Sequence, residues 1–242
     1  MAENLVIIPT YNEKENIANI IDAVFALSVE FHILIVDDGS PDGTRDIVRQ
    51  KMANFPNKLF LEEREGKQGL GTAYLHAFKW AIKHQYDYIF QMDADFSHPP
   101  EKLMELYKAC KQGGGDLAIG SRYTKGGNIE NWPLDRKIIS YGASLYVRLL
   151  TWVSYKDSTA GFVCYKRKVL ETLNLEGIQF VGYAFQIEMK YKAWKLGFKI
   201  VEVPITFKDR EEGTSKMSLH IINEAIFGVP KLLWQSITGK LN

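Results

Sequence analysis

Two carboxylates stand one residue apart in Asp93-Ala94-Asp95-Phe96, at the end of the apolar run Tyr88-Ile-Phe-Gln-Met92. A run of that kind reads as a buried strand, and ligands of α/β sheets collect at the carboxyl ends of strands. Carboxylate oxygens there suit Mg²⁺ or Mn²⁺, which reach a protein through one or two carboxylates and share the phosphates of a ligand. The pair therefore points to a nucleotide diphosphate handled through a metal, with Asp93 and Asp95 as the ligands. The plainer reading is that one aspartate caps the helix that Pro99 and Pro100 begin.

Three more polar clusters follow apolar runs. Pro9-Thr-Tyr-Asn-Glu13 closes Leu5-Val-Ile-Ile8, Asp37-Asp38-Gly-Ser-Pro-Asp-Gly-Thr44 closes His32-Ile-Leu-Ile-Val36, and Gly120-Ser-Arg-Tyr123 closes Leu117-Ala-Ile119. A parallel sheet brings such ends to one edge, where Glu13, Asp37 and Asp38 supply acceptors for an uncharged base and ribose. The turn Gly66-Lys-Gln-Gly-Leu-Gly71 opens a helix, and its glycines permit close backbone approach to an anion. It lacks the Gly-Lys-Ser/Thr ending of a P-loop, so a simple helix start stands beside that reading. Asp42-Gly43 serves a turn, and Glu13 alone could merely stabilise a helix start.

Helical spacing over 13–27, 44–54, 69–84 and 101–111 alternates with strands at 5–8, 32–36, 59–61, 88–92 and 117–119. That alternation predicts βαβ units and a mostly parallel sheet. Residues 122–136 read as loop, 138–153 as an aromatic helix, 162–165 as a strand, 184–196 as a helix and 199–207 as a bent strand broken at Pro204. From Leu219 onward Ile222, Ile226, Val229, Leu233 and Ile237 recur at helical spacing, beside a strip of Phe227, Lys231 and Trp234. Gly228 and Pro230 are expected to kink or split that helix. It suits either a bilayer interface or the domain's own core. The organisation predicted is one catalytic domain over 1–217 with an amphipathic tail over 218–242.

The 242 residues, 46% hydrophobic, are enough for one large α/β core. A net charge of +1 draws the chain to no nucleic acid. Cys110 and Cys164 are far apart with no CxxC, as expected of reduced thiols in a cytosolic protein. The start carries no basic leader, and no uncharged stretch reaches the ~18–20 residues of a spanning helix. The expected location is cytoplasmic, peripheral to a membrane.

Together the four strand-end motifs resemble those of family-two inverting glycosyltransferases of the GT-A type. Trp132-Pro-Leu-Asp-Arg-Lys-Ile-Ile-Ser140, Asp157-Ser-Thr-Ala-Gly-Phe162 and Phe207-Lys-Asp-Arg-Glu-Glu-Gly-Thr-Ser-Lys-Met217 narrow the likeness to the polyprenol-phosphate (dolichol-phosphate) mannose synthases. The resemblance spans about residues 5–220. It implies a GT-A, Rossmann-like α/β fold and mannosyl transfer from GDP-mannose to a polyprenyl or dolichyl phosphate at a membrane surface, with Mg²⁺ or Mn²⁺ as cofactor. It implies that Pro9, Tyr11, Glu13, Asp37, Asp38 and Asp93 hold the nucleotide. Arg122, Arg136, Ser140, Arg210 and Lys216 would surround the acceptor phosphate and donor diphosphate, and Asp95 and Arg122 would act in catalysis. The stretch 208–217 reads as a lid or as a plain exposed loop. Ser97 stands where some members carry a Gln near the metal, Val163 where many carry an Arg, and the C-terminal spans of some relatives are missing. The alternatives are a UDP-glucose enzyme or another acceptor, a nucleotidyltransferase, and a non-enzymatic nucleotide-sugar-binding module.

Overall fold

The computed structural model describes residues 3–182, 184–209 and 219–239, with side chains of the last helix described from Phe227 onward. Its strands are β1 (Asn4–Thr10), β2 (His32–Asp37), β3 (Leu59–Glu63), β4 (Tyr88–Gln91), β5 (Leu117–Ser121), β6 (Asn128–Glu130), β7 (Val163–Lys166), β8 (Ile200–Pro204) and β9 (Thr206–Lys208). The helices are α1 (Ile17–Phe25), α2 (Thr44–Met52), α3 (Leu70–Lys83), α4 (Leu103–Lys111), α5 (Leu134–Thr151), α6 (Arg167–Thr172), α7 (Ala184–Lys195) and α8 (Leu219–Ile237).

Seven strands form one sheet in the order β3-β2-β1-β4-β7-β5-β8. All pairings are parallel except those of β7, which runs antiparallel between β4 and β5. Helices cover both faces, which is why the central strands are continuous apolar runs. Along β1, Leu5 and Ile7 join the core beneath α3 and α7, while Val6 and Ile8 join the core beneath α1, α2 and α4. The strand order reverses between β1 and β4, so the crevice of this sheet lies where Pro9-Thr10-Tyr11 and Asp93-Ala94-Asp95 emerge.

Because β7 is antiparallel, the loop leading into it, 157–162, reaches the same edge as the carboxyl ends of β4 and β5. Gly120 sits under this junction: a Cβ there would lie 2.6 Å from a Phe162 ring carbon. Two expectations are corrected. The 122–136 segment is not all loop, since β6 pairs with β9 and α5 begins at Leu134. The break expected at Pro204 in the 199–207 strand is found: β8 ends there, and β9, in a second two-stranded sheet, begins at Thr206. The last helix is not split at Gly228 or Pro230, since it continues through both to Ile237. Pro230 is exposed, so its ring meets solvent rather than the packed side. That helix packs by Val229 and Leu232, and Gly228 lets Phe180 approach to 2.6 Å of a would-be Cβ.

Gly120→Ala is expected to destabilise the fold by about 1–3 kcal/mol through overpacking against Phe162. Urea unfolding of the variant beside the native protein measures this; an unchanged midpoint would show that the β5–β7 junction gives way freely.

Candidate functional site

The loops after β1 and β2 are stitched together before they meet any ligand. Asn12, held at φ 56°, donates its backbone N–H to Ser40 Oγ (3.0 Å), and Glu13 N–H donates to Thr44 Oγ1 (3.1 Å). Asp37 is wholly buried. Its carboxylate accepts from Thr10 Oγ1 (2.8 Å), Ser40 N–H (2.8 Å) and Ser40 Oγ (2.6 Å), with Arg45 Nε 3.6 Å away. Expected among the nucleotide contacts, Asp37 instead spends its oxygens clamping the ends of β1 and β2. Asp38 reaches a cavity of about 310 Å³ whose walls include Pro9, Tyr11, Glu13, Lys67, Asp93 and Asp95. It is paired there with Arg64 (Nε–Oδ1 2.7 Å, Nη2–Oδ2 3.2 Å). Lys67, whose Nζ sits 5.4 Å from the Tyr11 ring centroid, brings a cation to this cavity that the sequence reading passed over as part of a glycine turn.

The glycines of that turn make room for protein. Gly69, at φ 99°, would place a Cβ 3.2 Å from the Val181 carbonyl, and Gly71 would place one 3.0 Å from both the Phe180 carbonyl and the Phe185 ring. Gly71 N–H donates to Val181 O (2.8 Å). The segment around Val181 is held by Glu188, which accepts from Gln179 N–H (2.9 Å) and Phe180 N–H (3.0 Å). The close approach read from these glycines is thus made by the 180–182 segment, whose Val181 and Gly182 line the cavity.

Asp93 and Asp95 occupy a strained loop: Phe96, between Asp95 and Ser97, has φ 58°. Non-glycine residues in the left-handed region persist where the surroundings over-determine them, often beside ligand sites. Asp93 N–H donates to His98 Nδ1 (3.1 Å). His98 is fully buried against Phe162, with ring centroids 5.0 Å apart, and burial pushes its pKa down to about 4. The ring is therefore neutral, with its proton on Nε2. Ser97 N–H donates to Asp95 Oδ1 (3.1 Å), while Ser97 Oγ is buried with no hydrogen-bond partner among the described residues. The donor set fits a hard divalent cation: carboxylate oxygens, one of them on a side chain 40% exposed to the crevice. No group of three or more His, Cys, Asp or Glu suited to a metal occurs among the described residues. Asp93 and Asp95 would be the protein's share of the coordination, and phosphates and water the rest.

A second cavity, about 300 Å³, adjoins the first, and Asp93 and Leu70 line both. Arg122, Arg136 and Ser140 converge on it from β5 and α5. Both guanidiniums lie near Trp132, at 5.7 and 4.0 Å from its ring centroid. Each also faces a carboxylate. Arg136 Nη1 donates to Asp209 (3.0 and 3.1 Å) in a partly exposed pair. Such a pair contributes little and can yield to an incoming anion. Arg136 Nε is buried with no partner among the described residues. Ser140 Oγ accepts from Tyr123 OH (2.7 Å).

Arg122 is held far more firmly. Asp157, fully buried, accepts from Arg122 N–H (2.9 Å), Nε (2.8 Å) and Nη2 (2.7 Å), and Nη2 also donates to Thr159 Oγ1 (2.7 Å). Burial raises the Asp157 pKa, but the Arg122 charge and hydrogen bonds outweigh it and leave the carboxyl below its usual range. Asp157 N–H donates to Glu202 (3.1 Å), and Lys190 Nζ donates to the Ala160 carbonyl (2.6 Å). Asp157 and Lys190 were given no role from sequence. Their partnership needs β7 to run antiparallel, which no local pattern announces. Arg210 and Lys216, expected here as well, lie outside the described residues.

A model of the Glycosyl transferase family 2 matches residues 5–173. The polyprenol monophosphomannose synthase of Mycolicibacterium smegmatis is 46% identical over 238 residues, covering 98% of this chain and 88% of that protein. The undecaprenyl-phosphate mannosyltransferase of Micrococcus luteus is 42% identical over 241 residues, covering 98% of each. Among solved structures, the mannosyltransferase PcManGT from Pyrobaculum calidifontis, in complex with GDP-Man and Mn²⁺, superposes with a TM-score of 0.59 at 17% identity. That alignment covers 98% of this chain and 73% of PcManGT, and it shows a shared fold.

Two outcomes are expected. Asp157→Asn leaves Arg122 buried without its counter-charge and costs about 3–5 kcal/mol in urea unfolding; a loss below ~1 kcal/mol would show that the pair does not hold the site. Lys190 behaves differently, because burial lowers its pKa to about 7. Between that value and the ordinary lysine pKa near ~10.4, the unfolded chain binds a proton that the folded chain has released. Its contribution to stability therefore rises with pH above about 7, by at most ~1.4 kcal/mol per pH unit. Unfolding at pH 7 and pH 9 should show a smaller rise in Lys190→Met than in the native protein, and equal rises would refute the assignment.

Proposed function

This chain belongs to glycosyl transferase family 2, and from that premise we propose that it moves mannose from GDP-mannose to a polyprenyl phosphate, yielding polyprenyl phosphomannose with inversion, and GDP. The relatives from M. smegmatis and M. luteus support the acceptor class and the sugar by what their names state. The observation that carries the reading is that Asp93 lines both cavities, one rimmed by the acceptors Glu13 and Asp38, the other by Arg122 and Arg136.

In this reading GDP occupies the first cavity, with Tyr11, Glu13 and Asp38 around its uncharged parts and Lys67 near its charge. Asp93 and Asp95 hold Mg²⁺ or Mn²⁺, and PcManGT, which shares the fold and carries GDP-Man and Mn²⁺, supports that choice. The bound metal would neutralise the charge that develops on the diphosphate as it leaves. Arg122, Arg136 and Ser140 hold the acceptor phosphate in the second cavity, across the mannosyl C1 from the leaving group. An acceptor oxygen forms the new bond to C1 while the C1–O bond to the diphosphate breaks and its electrons leave with GDP. The acceptor is largely dianionic near pH 7, its second pKa being about 6, so no protein base has to take a proton. What the protein must do is bring one anion up to another, and arginine suits that task through bidentate contact with phosphate.

The prenyl chain requires a membrane surface, and we place one along α5 and α8. Leu134, Ile138, Tyr141, Leu145 and Leu149 form an exposed stripe on α5 that Trp152 continues just past its end, and Phe227, Trp234 and Ile237 are exposed on α8. Apolar surface of that extent marks an interaction site, and its spacing fits a helix lying in the headgroup region. Among the described residues no helix is long and apolar enough to cross a membrane.

Purified protein, Mg²⁺ or Mn²⁺, radiolabelled GDP-mannose and polyprenyl phosphate should give a lipid-soluble mannoside. Asp95→Asn should cut turnover about 100-fold or more. No lipid-soluble label from any nucleotide sugar would reject the proposal, and a melting shift by UDP in place of GDP would redirect it to a UDP-sugar donor. Leu149→Glu with Trp152→Glu should lose sedimentation with anionic vesicles yet retain turnover on a short, water-soluble prenyl phosphate. Undiminished vesicle binding would reject the membrane surface.

A further inference from the structure

Gln186 stands in the first turn of α7 with 1% of its surface exposed, and it lines the cavity that Arg122 and Arg136 share. Neither its Oε1 nor its Nε2 has a hydrogen-bond partner among the described residues. Buried polar groups are almost always paired, and an amide with both ends unpaired calls for an explanation. Ile139, Ala143, Ala184 and Ile187 of the same cavity offer only apolar side chains. A few polar groups on a mostly apolar wall are how small-molecule sites fix orientation.

Resting on the mannosyl-transfer reading above, we propose that Gln186 determines sugar specificity: its side-chain amide hydrogen bonds to hydroxyls of the hexose as that sugar passes from the diphosphate to the acceptor. Position and chemistry both favour the sugar over the phosphate. A Cβ built on Gly161 would lie 3.7 Å from Gln186 Nε2 and 3.7 Å from His98 Cε1. His98 in turn accepts from the backbone of Asp93. The amide therefore sits toward the Asp93 side of the cavity, from which the donor sugar arrives. A phosphate dianion only accepts hydrogen bonds and would leave the amide oxygen unmatched. A sugar hydroxyl donates and accepts, and so matches both ends of the amide. A site built to hydrogen-bond a substrate hydroxyl discriminates strongly against analogues that lack it.

The test pairs Gln186→Met, close in shape and apolar, with GDP-mannose analogues each lacking one hydroxyl. With GDP-mannose itself the variant should lose roughly 10- to 100-fold in kcat/KM. Its affinity for GDP and its KM for the prenyl phosphate should stay as they were. Its Tm should be equal to or above that of the native protein, because an unpaired buried amide has been removed. For at least one hydroxyl, deletion should cost the native enzyme about tenfold or more and cost the variant nothing further. Equal kcat/KM, additive losses for every analogue, or a lowered Tm with a uniform loss across donors would each overturn the inference. Should Gln186→Met not fold, Gln186→Glu, which keeps an acceptor in place, carries the same cycle. Native protein that transfers no mannose sinks the underlying reading and this inference together. An active native enzyme with indifferent variants sinks this inference alone.

Discussion

The grip of Asp157 on Arg122 is the interaction on which the rest of the site depends. One carboxylate, sealed from solvent, takes three hydrogen bonds from a single arginine, one of them from its backbone. Burying an arginine without that partner would be prohibitive, and burying the aspartate alone equally so. Together they present a guanidinium of fixed orientation to the cavity while much of its charge is already balanced. In the proposed reading that fixed orientation matters, since an arginine free to swing between two anions would collapse onto the nearer one. Arg136 is the contrast. Its pairing with Asp209 is partly exposed, and it retains a buried Nε without a partner among the described residues.

That grip is a product of topology. A purely parallel sheet would carry the segment before β7 to the opposite edge, away from β5. The antiparallel insertion of β7 between β4 and β5 sets Asp157, Thr159 and Gly161 beside Asp93 and Arg122. That loop also meets α7, whose Lys190 donates to the Ala160 carbonyl and whose Gln186 lines the arginine cavity. A strand running against the rest of the sheet thus joins Asp93 to the arginine cavity.

The two cavities also divide the electrostatic work. In the first, acidic side chains predominate and are partly answered by Arg64 and Lys67. In the second, cations lie over aromatic faces and each has a carboxylate behind it. In the proposed reading, a ligand bearing a nucleoside, a diphosphate and a sugar would span such a pair with its charged middle at Asp93. The exposed stripe of α5 begins at Leu134, two residues before Arg136. A lipid lying along it would bring its head group to the arginines.

How much was legible beforehand depended on the range of the interaction. The alternation of apolar runs and amphipathic helices implied a mostly parallel α/β sheet, because burial on both faces dictates that pattern locally. The polar clusters at the ends of β1, β2, β4 and β5 were readable for the same reason: each directly follows its strand. Asp37 shows the limit. Adjacent to Asp38 and chemically identical, it serves the protein's own loops, and only the approach of Thr10 and Ser40 in space separates the two roles. Asp157 opened a motif that narrowed the resemblance without a role of its own, and His98, Lys190 and Gln186 stood in the sequence as ordinary polar residues. Their significance comes from burial and from partners far away along the chain, quantities that exist only once the sheet has closed around them. The amino-acid order determined which chemistries could meet at one edge; tertiary packing decided which side chains are consumed in holding that edge together and which face the ligand.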